Sequence, residues 1–255
     1  MRDVVAVRLR QARRLCGGLL AGLLLMPPGG AQAALAVTGT RFIYPAGTSA
    51  LTVRVGNNGE APILLQAWLD KGDMGTDPSG LAVPFVLSPP IARLEPQQRS
   101  ALVVRYTGES LPGDRESVFW INFLEVPPRT TAEANVLRVA YRLRMKLLYR
   151  PAGLAGEADE AIRQVTWRLE QGPQAGGQTA LLAISRAPYY VSLPQLALGE
   201  GKQVINWQGI TIEPFGTTRI ALPVAKKAAA QATAIHYQVA IDSGETRSGS
   251  ARIQP

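Results

Sequence analysis

The chain has 255 residues, a formal net charge of +8, one histidine and one cysteine. A lone histidine leaves no partner for a catalytic triad or a histidine metal site. With no G-x-S-x-G, phosphate-binding loop or H-E-x-x-H either, no enzymatic chemistry, cofactor or metal is expected. Lysines and arginines are spread without the dense block that nucleic acid would call for. In chain order, Arg2, Arg8, Arg10, Arg13 and Arg14 make a basic start and Leu15 to Met26 an apolar run. Pro27-Pro28-Gly29-Gly30 breaks the run, and Ala31-Gln32-Ala33 supplies a small-x-small pattern. This is the composition of a secretory signal peptide over 1–33, cut between Ala33 and Ala34. The apolar run is shorter than the roughly twenty residues that span a bilayer, so no membrane insertion of the mature chain is expected.

Cys16 leaves with that segment, so the exported chain carries no disulfide and must rely on its core. Residues 1–33 hold five arginines and one aspartate, which leaves +4 on the remaining 222 residues. That length suits two domains.

Helical periodicity is nearly absent. Short β-rich runs between Gly, Pro and Asn punctuation predict an all-β chain of two sandwiches. The predicted strands of the first half are 37–44, 50–55, 63–69, 85–88, 91–94, 100–107 and 117–124. Gly56-Asn57-Asn58-Gly59 is a strong turn signal, and Trp68 is a candidate core aromatic. Residues 70–80 read as a polar loop, and Ser88-Pro89-Pro90 as a place for a cis X-Pro bond. Residues 151–159 turn Ala/Gly-rich and acidic, which sets the boundary at Arg150-Pro151 and gives domains at 34–150 and 151–255. Glu157, Asp159 and Glu160 read as solvated loop carboxylates. The second half yields strands at 165–169, 179–185, 189–193, 203–207, 218–222 and 235–241, with Ala225 to Ala234 as a loop. His236, in a β-rich run, reads as structural.

The most ordered pattern runs from Asn135 to Pro151. Leu137, Val139, Tyr141, Leu143, Met145 and Leu147 alternate with Arg138, Ala140, Arg142, Arg144, Lys146 and Leu148. A period of two gives one apolar and one polar face, hence a strand of about eleven residues. Two readings stand at this point. The strand closes its own sandwich with its arginines in water, or it also offers its apolar row to another protein.

Several segments, taken together, resemble the periplasmic pilus-assembly chaperones that work with an outer-membrane usher. They are T-R-F-I-Y-P (40–45), Q-A-W (66–68), S-P-P-I-A-R-L-E-P (88–96), L-P-G-D-R-E-S-V-F-W-I-N-F (111–123), E-V-P-P-R (125–129), N-V-L-R-V-A-Y-R-L-R-M-K-L-L-Y-R-P (135–151) and A-P-Y-Y-V-S-L (187–193). The match is specific from Ala34 to Pro151 and fades afterwards. It implies two immunoglobulin-like domains arranged as an L with a cleft between them. It implies Arg41 and Lys146 as the anchor for a pilus subunit's C-terminal carboxylate. Leu137, Val139, Tyr141 and Leu143 would be the donor strand that completes the subunit's open sandwich. Glu116, Arg150 and Asp242 would form an inter-domain ion network. The short stretch from Pro127 to Ala134 resembles the class serving adhesive pili.

The implied partners are pilus subunits and an usher, with self-association through the same edge when the chaperone is free. The alternative is a secreted pilus subunit or surface adhesin with immunoglobulin-like domains; the missing disulfide weighs against it. Without the resemblance, Arg41 and Lys146 would read as ordinary exposed cations, and Glu116, Arg150 and Asp242 as unrelated surface charges.

Overall fold

Alternating apolar residues bounded by turn chemistry become strands, and the regular structure among the described residues is almost wholly β. The computed structural model describes residues 34–73, 75, 82–128, 139–170, 179–199, 204–222 and 232–254. The expected signal peptide, Leu137, residues 129–134 of the short connecting stretch and residues 225–231 of the Ala-rich run lie outside them. In chain order the strands are β1 (Leu35–Val37), β2 (Arg41–Pro45), β3 (Leu51–Asn57), β4 (Ile63–Asp70), β5 (Phe85–Ser88), β6 (Ile91–Leu94), β7 (Arg99–Tyr106), β8 (Ser117–Val126) and β9 (Tyr141–Arg150). A 3-10 helix, Ala158–Gln164, precedes β10 (Val165–Glu170), β11 (Ala180–Ser185), β12 (Val191–Leu198), β13 (Ile205–Ile212), β14 (Thr217–Ala221), β15 (Ala234–Ala240) and β16 (Thr246–Gln254).

The first sandwich faces a sheet ordered β1-β3-β7-β5 against one ordered β2-β9-β8-β4-β6. Its core includes Val53, Leu65, Leu94, Leu102, Ile121, Phe123 and Leu147. The second domain has its own core, with Trp167, Leu181, Leu193, Leu196 and Ile235, under strands ordered β13-β12-β15-β16-β10-β11-β14. Both domains fall within one compact body, Ala34–Pro255.

Four expectations are corrected. The first predicted strand is two: Gly39 turns the chain at φ +112, so β1 pairs with β3 in one sheet and β2 with β9 in the other. Trp68 is only half-buried. It stands on the face of β4 opposite Leu65, Ala67 and Leu69, under the Arg142 guanidinium, 4.9 Å from its ring centre. The acidic run after Pro151 is not merely solvated, because Asp159 in the 3-10 helix accepts the Asp242 N–H at 2.9 Å. Glu160 pairs with Arg163 at 2.8 Å. Finally, β16 was not predicted; T-R-S-G-S-A-R-I-Q is polar and small, and pairs with β15 and, in parallel, with β10. The Ser88–Pro89 bond is cis.

Tyr44 sets the packing near the domain junction. Its ring is 1% exposed and contacts Phe85, Tyr106 and Tyr149. Its hydroxyl donates to Thr48 O at 2.8 Å and accepts the Tyr106 N–H at 3.1 Å. Tyr44→Phe keeps the ring but strands that N–H, so it should cost about 1–3 kcal/mol. Urea unfolding of the two proteins measures this directly, and an unchanged midpoint would refute it.

Candidate functional site

β9 has two different halves. Towards its end it is enclosed: β8 lies on one side, and β2 pairs in parallel on the other from Lys146 to Arg150. There Leu147 (0% exposed) enters the core and Leu148 (1%), on the opposite face, belongs to neither core, so both faces are covered. From Tyr141 to Met145, β8 is again on one side. Among the described residues no strand pairs with the other. This open edge carries exposed apolar side chains, Tyr141 at 39% and Leu143 at 38%, and Val139, two residues before the strand begins, is 47% exposed. An unpaired edge and an exposed apolar row together are what a donated strand requires, and soluble proteins usually conceal them.

Where the edge closes, two cations meet. Arg41 and Lys146 are directly opposite in the β2–β9 register. They line a cavity of about 280 Å³ whose far wall comes from the second domain, with Ser192, Pro194, Gly209 and Ile210. The Arg41 side chain is 8% exposed; its Nη1 donates to Ala240 O at 2.8 Å, and Nη2 lies 3.4 Å from Asp242 Oδ1. Its Nε is buried without a partner. Burial holds the guanidinium below its ordinary pKa, although Asp242, Glu116 and Asp159 favour the charge. Lys146 Nζ donates to Ser192 Oγ at 2.9 Å and Thr211 Oγ1 at 2.5 Å, both neutral. It also sits over Trp120, 5.6 Å from the ring centre. No carboxylate among the described residues pairs with it. Burial, reinforced by Arg41, lowers its pKa to about 8. The pocket thus holds two desolvated cations, of which only Arg41 has a counter-charge, the Asp242 carboxylate that Arg150 also holds, and it would accept a further carboxylate through charge-assisted bonds.

A third constellation crosses the domain junction. Glu116 is buried, and accepts Arg150 Nε at 2.7 Å and the Tyr190 N–H at 2.8 Å. Arg150 turns its other nitrogens to both oxygens of Asp242, at 2.5 and 3.0 Å. Burial works against the Arg150 charge, yet the bonds to Asp242 and Glu116 outweigh it and hold its pKa above the ordinary value. Burial pushes Glu116 up, against the bonds it receives from Tyr190 and Arg150. Glu116, Arg150 and Asp242 are therefore one contact network, joined by Arg41.

Sequence reasoning missed the polar face of β9. Arg142 and Arg144 are not simply in water. Arg144 stacks 4.3 Å from the Trp120 ring centre and bonds Asp70 at 2.5 Å; Arg142 donates to Asn122 Oδ1 at 2.7 Å. Asp70 is 1% exposed and also accepts from Asn122 at 2.7 Å. Burial works to raise the Asp70 pKa, but these bonds and the Gly72 N–H bring it below the ordinary value. The available signal was parity: Trp68 and Asp70, Trp120 and Asn122, and Arg142 and Arg144 are each two apart. Ser192 and Thr211 gave no signal, since hydroxyls on strands are common.

A family model described as "Pili and flagellar-assembly chaperone, PapD N-terminal domain" matches residues 34–155, and "Pili assembly chaperone PapD, C-terminal domain" matches 160–251. The chain is 41% identical to the chaperone protein FimB/FhaD of Bordetella pertussis, covering 75% of this chain and 79% of that protein. Its fold is similar to the CupB2 chaperone of Pseudomonas aeruginosa (TM-score 0.69, 30% identity, 86% of this chain and 100% of that one). It is also similar to a structure of the Salmonella enterica SafA pilin in complex with the SafB chaperone (TM-score 0.71, 26% identity, 88% and 99%).

The Lys146 shift has a sign that can be checked. Unfolded, the ammonium titrates near its ordinary value of 10.5; folded, near 8. Between those values the unfolded chain binds the extra proton. Folding stability therefore rises with pH across that window, and the full penalty is present below it. A ¹³Cε titration should find Lys146 near 8, below its ordinary 10.5. A midpoint above 10 would mean the pocket does not desolvate this group.

Proposed function

This chain belongs to the PapD-type pilus-assembly chaperones, and we propose that it holds pilus subunits in the periplasm by lending them β9. It is a chaperone for pilus subunits rather than a subunit or adhesin, since both family models and the chaperones it resembles agree on that class.

The observation that carries the mechanism is the sharing of one strand. β9 offers an open edge with Tyr141 and Leu143 exposed, preceded by the exposed Val139, and roughly 10–17 Å on from those two strand residues reaches a two-cation pocket. A subunit segment ending with its carboxylate between Arg41 and Lys146 would run back along that edge. Its backbone groups would pair with β9 while the apolar row fills the gap in its own sandwich. Leu137 continues the same period beyond the described residues and is assigned to the same row. The buried, unpartnered Arg41 Nε and the uncompensated Lys146 are both served by an incoming carboxylate. The Glu116–Arg150–Asp242 network holds the two domains at the angle that forms the pocket, a role of position more than of stability. Delivery to an outer-membrane usher, cleavage between Ala33 and Ala34, and edge-to-edge pairing of free chaperones complete the reading. Their support is the family membership, the signal-peptide composition and the exposed edge.

Arg41→Ala and Lys146→Ala should leave folded proteins that lose subunits on co-purification. Removing one desolvated charged partner at an interface costs about 2–5 kcal/mol. Circular dichroism controls for folding. A synthetic pilin C-terminal peptide should bind as the free acid and not as the amide; equal binding of the two would remove the anchor.

Val139→Glu should spare the melting temperature and abolish capture, because it places an unpaired charge in an apolar groove. A collapsed melting temperature would show that Val139 closes this protein's own core instead.

A further inference from the structure

One buried acid has no part in the chemistry above. Glu125 is 7% exposed and shares the inward parity of Ile121 and Phe123 on β8, at the end of the core, opposite Leu65 on β4 and Tyr141 on β9. Among the described residues no lysine or arginine pairs with it. Its carboxylate instead receives two backbone groups from the start of β1. The Leu35 N–H donates to Oε2 at 2.8 Å and the Ala34 N–H to Oε1 at 3.3 Å. A buried carboxylate without a counter-ion is costly to keep.

Ala34 is firmly seated at this spot. Its carbonyl accepts the Asn58 N–H at 2.7 Å, Leu35 pairs with Asn57, and a Cβ on Gly59 would come within 2.7 Å of the Ala34 methyl group. Gly59 therefore leaves room for this residue. Independently, the Ala31-Gln32-Ala33 pattern puts the processing cut at the Ala33–Ala34 bond.

We propose that Glu125 is the receptor for the α-ammonium that signal-peptide removal creates at Ala34. Hydrolysis adds water across the Ala33–Ala34 amide. The hydroxyl goes to the Ala33 carbonyl carbon, which leaves as a carboxylate, and Ala34 keeps a nitrogen that is protonated at neutral pH. A neutral N–H at 3.3 Å becomes a cation beside a buried anion, and a charge-assisted bond replaces an ordinary one. Processing thereby supplies the counter-charge the fold lacks, and ties β1 to the end of β8 beside the donor edge. The inference rests on cleavage after Ala33, as read above, and is independent of subunit capture.

The test uses the processed chain purified from the periplasm. Intact mass first establishes the N-terminus, and a start other than Ala34 overturns both the processing reading and the pair. With Ala34 confirmed, chemical unfolding at pH 6.5 compares free and Nα-acetylated chains, in the native protein and in Glu125→Gln. Acetylation removes the charge and keeps an N–H. It should raise the unfolding constant roughly tenfold in the native protein and by less than twofold in the variant. Equal effects in both backgrounds overturn the pair and leave the cleavage site intact. Should Glu125→Gln fail to fold, titration of ¹⁵N-labelled Ala34 decides. An α-amino pKa clearly above its usual value of about 8 supports the pair, and one at or below it overturns it.

Discussion

A guanidinium drawn out of water between two domains must be met by acids from both, and Arg150 is placed to satisfy that constraint. Its Nε is held by Glu116 just before β8, and its remaining donors by Asp242 just after β15. The fork geometry of arginine makes the arrangement directional, which a lysine at this position could not reproduce. Because Asp242 also faces Arg41, and its own N–H is held by Asp159, the relative placement of the domains and the charge of the pocket share atoms. Lys146 depends on the same alignment, since both hydroxyls it bonds belong to the second domain.

The polar side of β9 holds its open edge in place. Two arginines lie on two tryptophan faces and converge, with Asn122, on Asp70. Cation–π contacts and charge-assisted bonds in a half-buried lattice fix rotamers that would otherwise sample widely. A strand displayed for pairing with another protein loses less freedom on pairing if it is already straight and held.

Much of this was legible in the sequence where a physical period or a spaced motif existed. The alternation through Val139, Tyr141, Leu143 and Leu147 located β9 and separated Lys146 from the apolar row, because side chains in a strand must alternate. It could not tell that the row passes from exposed to buried along its length, or that Leu148 is covered too; that depends on where β2 begins and on the second domain. The break at Gly39 was hidden inside a run of β-prone residues, V-T-G-T-R-F-I-Y. Trp68 looked like core because size and hydropathy do not report which face of a strand is turned inward. β16 gave only a faint apolar signal, Ala251 and Ile253 two apart against the second core, and its length is defined by pairing with β15 and β10. Glu116, Arg150 and Asp242 came from motif resemblance alone; no local pattern joins residues so far apart in the chain.

The break at Gly39 has a mechanical meaning. A single leading segment lies first along β3 in one sheet and then along β9 in the other, so it works as a clasp across the mouth of the sandwich. Prising the sheets apart would have to shear a five-residue parallel ladder while peeling a three-residue antiparallel one. The enclosed half of β9 is thereby anchored by a segment that grips both sheets, and load applied at its open edge is carried into both layers rather than one.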